Sequence, residues 1–414
     1  MSDLLVVNIG LLATPVGSAA KGGKAQGEIQ LLHDAWLRIE DGVIAALGTG
    51  APEGTGCPVL DAGGRLVTPG LVDAHTHLVF GGWRQNELAL KLHGVPYLDI
   101  LAQGGGILST VTATRTATEE ELADKAAAAL DEMLRFGTTT CEAKSGYGLT
   151  TEEECKQLRA IRALNQRHPI DLVATFMGAH ALPQAYKENR EAYVSLVCEE
   201  MIPRVAAEQL AEFCDVFCET GVFTAEESRR ILEAGKRYGL RPKIHADEID
   251  PIGGSQLAGE IGAVSAEHLI VCPDEGIDSM ARGGTVACLL PATSFYLGAD
   301  YAPARKMVKA GVPVAMATDF NPGSCPCLNM QLVMNLGCLR YRLTPEEVLT
   351  AVTLNGAAAI GRAEAVGSLE PGKRGDLLIW EARDLNYVCY RMGSNLVHTV
   401  VKGGKTYSNT TGAN

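Results

Sequence analysis

Eight short apolar runs, separated by longer amphipathic stretches, constrain the fold of this chain more than any other feature of its sequence. The runs have the length and the Val, Ile, Leu and Cys content of buried strands, whereas stretches 119–136, 151–167 and 225–238 show helical periodicity. The predicted strands are residues 71–78, 138–144, 171–180, 214–219, 242–245, 263–268, 285–290 and 313–319. Strands that alternate with helices are typical of parallel sheets, and eight of them predict an α/β fold with a (β/α)8 TIM barrel.

Both ends of the chain depart from this pattern, because short strand-like runs are separated there by Gly-rich turns. At 414 residues the chain is long enough for a large barrel and a smaller domain. We therefore predict a catalytic barrel over residues 67–365, and a small β-sandwich domain built from both termini, residues 1–66 and 366–414.

Candidate metal ligands stand where the predicted strands end. His75 and His77 are two residues apart, so in an extended segment both imidazoles face the same side and can reach one ion. His245, His268 and Asp319 close three later strands. The C-terminal ends of barrel strands meet at one face, which brings these side chains together. They supply the nitrogen and oxygen ligands of a mononuclear zinc or iron(II) site.

Charge and hydropathy exclude several classes of partner. The formal net charge is −13 and no Lys/Arg cluster stands out, which argues against a nucleic acid. No segment approaches the length of a membrane span, and residues 1–8 lack the basic start and long apolar core of a signal peptide. We expect a cytoplasmic protein with no membrane partner.

The twelve cysteines are scattered through apolar segments, as Cys214 and Cys288 illustrate, and this pattern favours buried thiols over disulfides. Cys325 and Cys327 follow a candidate ligand by a few residues, but a partner Cys or His pair at zinc-site spacing is missing. We interpret these two residues as loop packing.

Several motifs make the chain resemble the amidohydrolase superfamily. The resemblance begins with residues 69–77 and includes the strand-end partners His245, His268 and Asp319. Further matching stretches, in order along nearly the whole chain, are residues 80–84, 144–149, 176–180, 245–248 and 318–324. Their order and spacing are similar to those of superfamily members that hydrolyse 4-imidazolone-5-propanoate to N-formimino-L-glutamate in histidine degradation. The resemblance therefore implies a small-molecule substrate and opening of a cyclic amide by activated water.

The same resemblance implies one zinc or iron ion per subunit. The implied metal ligands are the four side chains His75, His77, His245 and Asp319. Binuclear superfamily members place a carboxylated lysine or a glutamate at the end of the fourth strand. This chain has no lysine at the end of its predicted fourth strand, where the carboxylate of Glu219 stands instead. We therefore predict a single ion, of which the sequence does not fix the identity because such a ligand set accepts both metals.

Three residues are expected to carry the chemistry. Asp319 is the expected base for the attacking water, and His268 is expected to hydrogen-bond the hydroxide or the oxyanion. The alternative for His268 is a buried structural histidine. Glu248, three residues after His245, is expected to contact a ring nitrogen and pass a proton to it. Its alternative is a solvated carboxylate among acidic neighbours.

The propanoate arm of the implied substrate calls for a cation, and Arg84 after the first strand can supply a bidentate fork. The expected companions of Arg84 in substrate binding are Tyr97, Tyr147 and His180. A turn formed by Asn321, Gly323 and Ser324 is expected to hold the product carboxylate through its backbone N–H groups. The alternatives are helix packing for Tyr97, a strand-end cap for His180 and an ordinary turn for the last three.

Two other functions remain open at this stage. A deaminase acting on a purine or pyrimidine shares the paired histidines, the later His-x-x-Glu and the final Asp, but it would release ammonia. A non-catalytic scaffold would be expected to lack metal ligands, and none is missing from this sequence. The sequence allows a homodimer without fixing the oligomer.

Overall fold

The computed structural model describes residues 3–52, 56–95 and 105–408. Within these ranges the chain forms two sheets of eight strands each. The strands in chain order are β1 Leu4–Thr14, β2 Gln30–Glu40, β3 Val43–Thr49, β4 Val59–Asp61, β5 Leu66–Pro69, β6 Leu71–Asp73, β7 Thr138–Lys144, β8 Asp171–Ala179, β9 Phe213–Cys218, β10 Arg241–Ala246, β11 Ser265–His268, β12 Val286–Leu289, β13 Val314–Met316, β14 Leu377–Trp380, β15 Val397–Lys402 and β16 Lys405–Ser408.

Helices occupy most of the connections between the barrel strands. The α-helices among the described residues are Leu88–Leu92, Ile107–Thr116, Glu119–Arg135, Thr151–Arg167, Arg190–Leu196, Ile202–Ala207, Ala225–Arg237, Gly254–Glu260, Asp274–Gly283, Pro291–Leu297, Ala304–Lys309, Met330–Leu339, Pro345–Ala351, Leu354–Ala359 and Leu385–Tyr390. The helix Glu119–Arg135 begins with the capping box that its sequence predicts, in which the side chains of Thr118 and Glu121 each accept a backbone N–H.

The barrel sheet runs in chain order from β6 to β13, and all its strand pairs are parallel. The barrel closes between its first and last strands through a bridge of Thr76 with Phe320. In this closure Asp319 N donates to His75 O at 3.0 Å, and His77 N donates to Phe320 O at 2.9 Å. The TIM barrel prediction is confirmed, and the closing bonds pass through candidate site residues.

The first barrel strand is shorter than its predicted span of residues 71–78. Strand β6 ends at Asp73, whose carboxylate accepts hydrogen bonds from Thr318 N at 3.0 Å and from Thr318 Oγ1 at 2.6 Å. These side-chain hydrogen bonds replace backbone pairing at the point where β6 ends. The two candidate histidines therefore lie on an irregular segment beyond β6, which is joined by backbone hydrogen bonds to Asp319 and Phe320 in the segment after β13.

The second sheet is built from both ends of the chain, in the order β16, β15, β14, β5, β1, β2, β3, with β4 paired to β1. Strand β1 pairs with β4 near its start and with β5 near its end, both in parallel. Only Gly70 separates β5 from β6, so the two sheets are joined directly beneath the candidate site. The domain boundaries at residues 66 and 366 stay a prediction. None of the described helices is long and apolar enough to span a bilayer.

Candidate active site

A cavity of about 730 Å³ lies at the C-terminal ends of the barrel strands. The predicted site residues that line it are His77, Arg84, Tyr147, His180, His245, Glu248, His268, Asp319, Asn321, Gly323 and Ser324. His75 lies behind this layer and is fully buried. Tyr97 lies outside the described residues. The structure thus brings all the other predicted residues to one place.

The four expected metal ligands converge on one point. His75 Nε2 lies 3.4 Å from Asp319 Oδ1, and His77 Nε2 lies 3.7 Å from the same oxygen. His245 Nε2 lies 3.4 Å from His77 Nε2. Ligands about 2.0–2.1 Å from a tetrahedral zinc ion would lie about 3.3 Å apart, so these separations suit a single ion.

Three buried imidazole nitrogens of the described site histidines lack the partner that burial requires, and His75 Nε2 is the one that faces Asp319. Among the residues that the structure describes, His75 Nε2 has no hydrogen-bond partner. Buried polar groups are ordinarily paired. This imidazole nitrogen faces a carboxylate and two other imidazoles, and together these groups form a donor set that suits a divalent metal. The donor atoms of His75, His77 and His245 lie within 4.8 Å of one another, as do those of His75, His268 and Asp319. The residues present therefore fit a divalent ion.

Asp319 is held by Thr293, which sequence reasoning missed. Thr293 Oγ1 donates to Asp319 Oδ2 at 2.7 Å and thereby turns Oδ1 toward the histidines. Burial raises the pKa of Asp319 above its ordinary value. The backbone of Asp319 is in the left-handed region at φ 57°, as is that of His268 at φ 68°. Such conformations cost about 1–3 kcal/mol each and cluster at functional sites.

Glu248 and His268 are neighbours in the lining of the cavity, with Oε2 and Nε2 3.6 Å apart. The Glu248 side chain is only 18% exposed, which differs from the solvated alternative. Burial raises the pKa of Glu248 to about 7, with Glu219 adding to the increase and His245 opposing it. Burial lowers the pKa of His268 to about 3, so this imidazole is neutral. The carboxyl is thus poised to exchange a proton near neutral pH.

Arg84 lines the cavity, but part of its fork is already engaged. Its Nε and Nη2 atoms donate to the two carboxylate oxygens of Glu87, at 3.0 and 2.9 Å. A Cβ placed on Gly323 would lie 2.0 Å from Arg84 Nη1, so this guanidinium packs directly against the backbone of the turn, and a side chain there would displace it. The Arg84 side chain is thus fixed between Glu87 and the turn after the last strand.

That turn is organised by Asn321. Its Oδ1 accepts from Gly323 N at 2.8 Å and from Ser324 N at 2.7 Å, while its Nδ2 donates to Asp319 O at 2.8 Å. The backbone N–H groups expected to hold a carboxylate therefore donate to Asn321 Oδ1 within the turn. Their substrate-binding role stays a prediction.

His180 and Tyr147 form an aromatic wall beside the histidine cluster. The His180 ring stacks on His77 with centroids 4.7 Å apart, and Tyr147 lies 5.2 Å from His180. His180 Nδ1 is 3.1 Å from the Gly146 carbonyl oxygen, a contact that fixes the ring orientation. Burial lowers the pKa of His180 to about 3.

Comparison with known proteins identifies the family. The profile of the amidohydrolase family matches residues 66–407. An imidazolonepropionase of Alkaliphilus metalliredigens is 55% identical over 412 residues, which cover 98% of each chain. An imidazolonepropionase of Brevibacillus brevis is 53% identical over 95% of each chain. The chain belongs to the imidazolonepropionase family of amidohydrolases. It is therefore a metal-dependent hydrolase, and the scaffold and deaminase alternatives are not favoured.

Solved structures outside the imidazolonepropionase family share this fold. An adenosine deaminase of Xanthomonas campestris with bound zinc superposes with a TM-score of 0.73 at 20% identity, covering 98% of this chain and 92% of that one. A 5-methylcytosine deaminase of Klebsiella pneumoniae gives a TM-score of 0.73 at 19% identity, covering 99% of each chain. At these identities the likeness concerns the fold.

The charged side chains beneath the proposed metal ligands were not predicted from the sequence. Asp215 Oδ1 lies 3.1 Å from His245 Nδ1, and Glu267 Oε2 lies 2.9 Å from His75 Nδ1. The available signal is spacing, because Glu142 and Lys144 are two apart within one buried strand, as are Lys243 and His245 within another. A charged side chain two residues from a metal ligand in an apolar strand lies on the same face as that ligand. Since a buried charge needs a partner, such a pattern indicates polar groups inside the barrel.

The segment Cys325-Pro326-Cys327 fits its interpretation as loop packing. Cys325 is buried and its Sγ lies 3.2 Å from the Thr318 carbonyl oxygen. Among the described residues, the His, Cys, Asp and Glu groups close enough to hold a metal include no cysteine.

Proposed function

We propose that this protein hydrolyses 4-imidazolone-5-propanoate to N-formimino-L-glutamate. The observation that carries the proposal is that one cavity joins a histidine–carboxylate cluster to the cation of Arg84. The cluster suits water activation, and the arginine suits a carboxylate arm on the same small molecule. Relatives named imidazolonepropionase at 51–55% identity support this substrate.

We propose that one zinc or iron ion is held by His75, His77, His245 and Asp319. Such an ion supplies a Lewis acid and lowers the pKa of water from about 16 toward 7. Glu219 supports a count of one, because its two oxygens already accept N–H groups of Thr220, Ile249 and Asp250 at 2.8–3.0 Å.

Asp319 and His268 handle the attack of water on the ring carbonyl. Asp319, kept more basic by burial, accepts a proton from the attacking water. The neutral imidazole of His268 donates a hydrogen bond to the oxyanion that forms on the substrate. Water adds to the carbonyl carbon, and the bond from that carbon to the ring nitrogen then breaks.

Glu248 delivers the proton that the departing ring nitrogen needs. A carboxyl with a pKa of about 7 is protonated in a substantial fraction of molecules at neutral pH. Glu248 Oε2 lies 3.6 Å from Nε2 of His268, the proposed oxyanion donor, and this proximity supports the assignment. The product keeps both nitrogens of the substrate, so no ammonia is released.

The propanoate arm is bound by Arg84, which Glu87 orients. Tyr97, Tyr147, His180, Asn321, Gly323 and Ser324 are proposed to complete the substrate site. Asn321 and Gly323 act by shaping the wall against which the guanidinium lies. A homodimer and a cytoplasmic location stay predictions.

The test is turnover of freshly prepared 4-imidazolone-5-propanoate by metal-loaded protein, compared with the variant His75→Ala. We expect the variant to lose the metal and nearly all activity while its circular dichroism stays unchanged, because the ligand lies at the barrel rim. The variant His33→Ala, in the terminal sheet, is the matched control and should keep both. Stoichiometric metal in His75→Ala would overturn the ligand set, and absence of turnover by the loaded parent protein would overturn the function.

A further inference from the structure

Five buried charged side chains form a continuous path beneath the candidate metal centre. From His75 the path runs through Glu267, Lys243, Glu142, Lys144 and Asp215 to His245. The five charged residues lie on β7, β9, β10 and β11, and their side chains are fully buried.

The distances along this path leave no break. Lys243 Nζ lies 2.7 Å from Glu142 Oε1 and 3.4 Å from Glu267 Oε1. Lys144 Nζ lies 2.8 Å from Glu142 Oε2 and 2.7 Å from Asp215 Oδ2. Every charge in the path thus has a counter-charge, which is the condition for burying it at tolerable cost.

The two ends of the path meet the two histidines in the same way. Glu267 Oε2 lies 2.9 Å from His75 Nδ1, and Asp215 Oδ1 lies 3.1 Å from His245 Nδ1. A carboxylate paired with an ammonium group is an acceptor only, so each Nδ1 must carry the proton. Each Nε2 then has its lone pair directed at the centre of the site.

We propose that Asp215 and Glu267 are positioning residues that lock His245 and His75 as metal-binding tautomers, and that the lysines and Glu142 hold these two carboxylates in place through the contacts of the path. The three carboxylates and two ammonium groups leave one excess negative charge beneath a cation site. The inference rests on the proposed metal ligands and deepens that proposal. His77 provides an internal contrast, because within the described ranges its buried Nδ1 has no hydrogen-bond partner.

The test measures zinc affinity of metal-stripped, full-length protein by competition with a chromophoric chelator. The variants Asp215→Asn and Glu267→Gln keep the size of each side chain and remove its charge. Outer partners of metal-bound histidines typically contribute about 10- to 100-fold in affinity, so each variant should raise the Kd for zinc by that factor. The absorption spectrum of cobalt-loaded protein should change in both variants.

The matched control is Asp376→Asn, which breaks a different buried pair. Asp376 Oδ2 lies 2.6 Å from Lys402 Nζ in the terminal sheet. This variant should lower the Tm while leaving the Kd for zinc within twofold. A purely structural role for the path predicts the same behaviour for Asp215→Asn, and that result would overturn the proposal.

A double variant covers the case in which Asp215→Asn does not fold. Combining Asp215→Asn with Lys144→Met removes both members of one buried pair, so no unpaired ammonium group is left in the barrel. Weakened zinc binding in the double variant supports the proposal, and wild-type affinity overturns it. Absence of turnover by the loaded parent protein would contradict the proposed function. It would not change the zinc affinities, which test the positioning role separately.

Discussion

The Glu248 side chain is largely buried, and this burial lets its carboxyl group bind a proton near neutral pH. The variant Glu248→Gln keeps the size and one acceptor but cannot carry a proton. General acid–base groups contribute about 10² to 10⁴ in rate, so we expect kcat to fall within that range with metal content unchanged. If kcat after subtraction of the uncatalysed reaction equals that of the parent, proton delivery belongs to another group.

The same residue predicts a pH dependence of known sign. Burial raises the pKa of Glu248 to about 7, so the proton-donating form is present below that value and is lost as the pH rises through it. We expect kcat/KM to decline above about pH 7 in the parent protein and to lack this decline in Glu248→Gln. A profile unchanged by the substitution would contradict the acid role.

Arg84 is predicted to act on substrate binding more than on the chemical step. The propanoate is paired in both the ground state and the transition state, so weakening this pair raises KM and spares kcat. Arg84→Lys keeps the charge but loses the fork that Glu87 orients, and KM should rise about tenfold or more. Arg159→Lys, on the outer surface of a helix, is the control. An unchanged KM in Arg84→Lys would mean that another residue binds the arm.

At the scale of elements, the loop after β10 is held in place from β9. Glu219 at the end of β9 accepts the N–H groups of Ile249 and Asp250, directly after Glu248. In Glu219→Gln an amide N–H₂ replaces one accepting oxygen, so one of these bonds is lost. Displacement of a reacting group by about 1 Å can cost 10²-fold, so we expect a kcat loss approaching that size with one metal ion retained.

The control for this prediction is Glu227→Gln, which alters a carboxylate that caps a helix remote from the cavity. The glutamine amide oxygen can still accept from Thr224 N, and the change removes the ion pair with Arg190, so it should cost at most about 1 kcal/mol of stability and leave kcat within twofold. A drop in metal content in Glu219→Gln alone would show that Glu219 is a metal ligand and that the proposed count of one is wrong.

The element pattern explains which parts of the site could be predicted. His75 and His77 are separated by two residues, and His245 ends a strand, so their convergence follows from local periodicity and barrel topology. The pairing of Asp215 with His245 could not be predicted, because it depends on the register between β9 and β10. The Thr293 contact to Asp319 joins a helix to the segment that follows β13, whereas the sequence predicted a strand that runs to residue 319, and this contact has no local signal either.

At the scale of the whole molecule, the predicted alternation of strands and helices was enough to give the barrel, since eight parallel strands have few ways to bury both faces. The terminal sheet was also predictable as one unit. Its attachment was not, because it depends on β5 and β6 being separated by the single residue Gly70. The ion pair of Lys402 with Asp171, which joins the terminal sheet to β8, likewise has no signal in the sequence.

Metal binding should stabilise the entire fold. A ligand that binds only the native state adds about 2.7 kcal/mol when present at 100 times its Kd. Removal of the metal should therefore lower the Tm by several degrees, and returning zinc should restore it. His245→Ala should show the low Tm with or without added zinc. Equal Tm values for stripped and loaded parent protein would contradict binding at the barrel rim.

One cavity is proposed to open a cyclic amide without releasing nitrogen. The most direct measurement counts N-formimino-L-glutamate and ammonia in the same reaction of metal-loaded protein with 4-imidazolone-5-propanoate. We expect one N-formimino-L-glutamate for each substrate consumed above the uncatalysed background, with no ammonia. Ammonia in amounts equal to the substrate consumed would identify a deaminase and contradict the proposed opening of the ring.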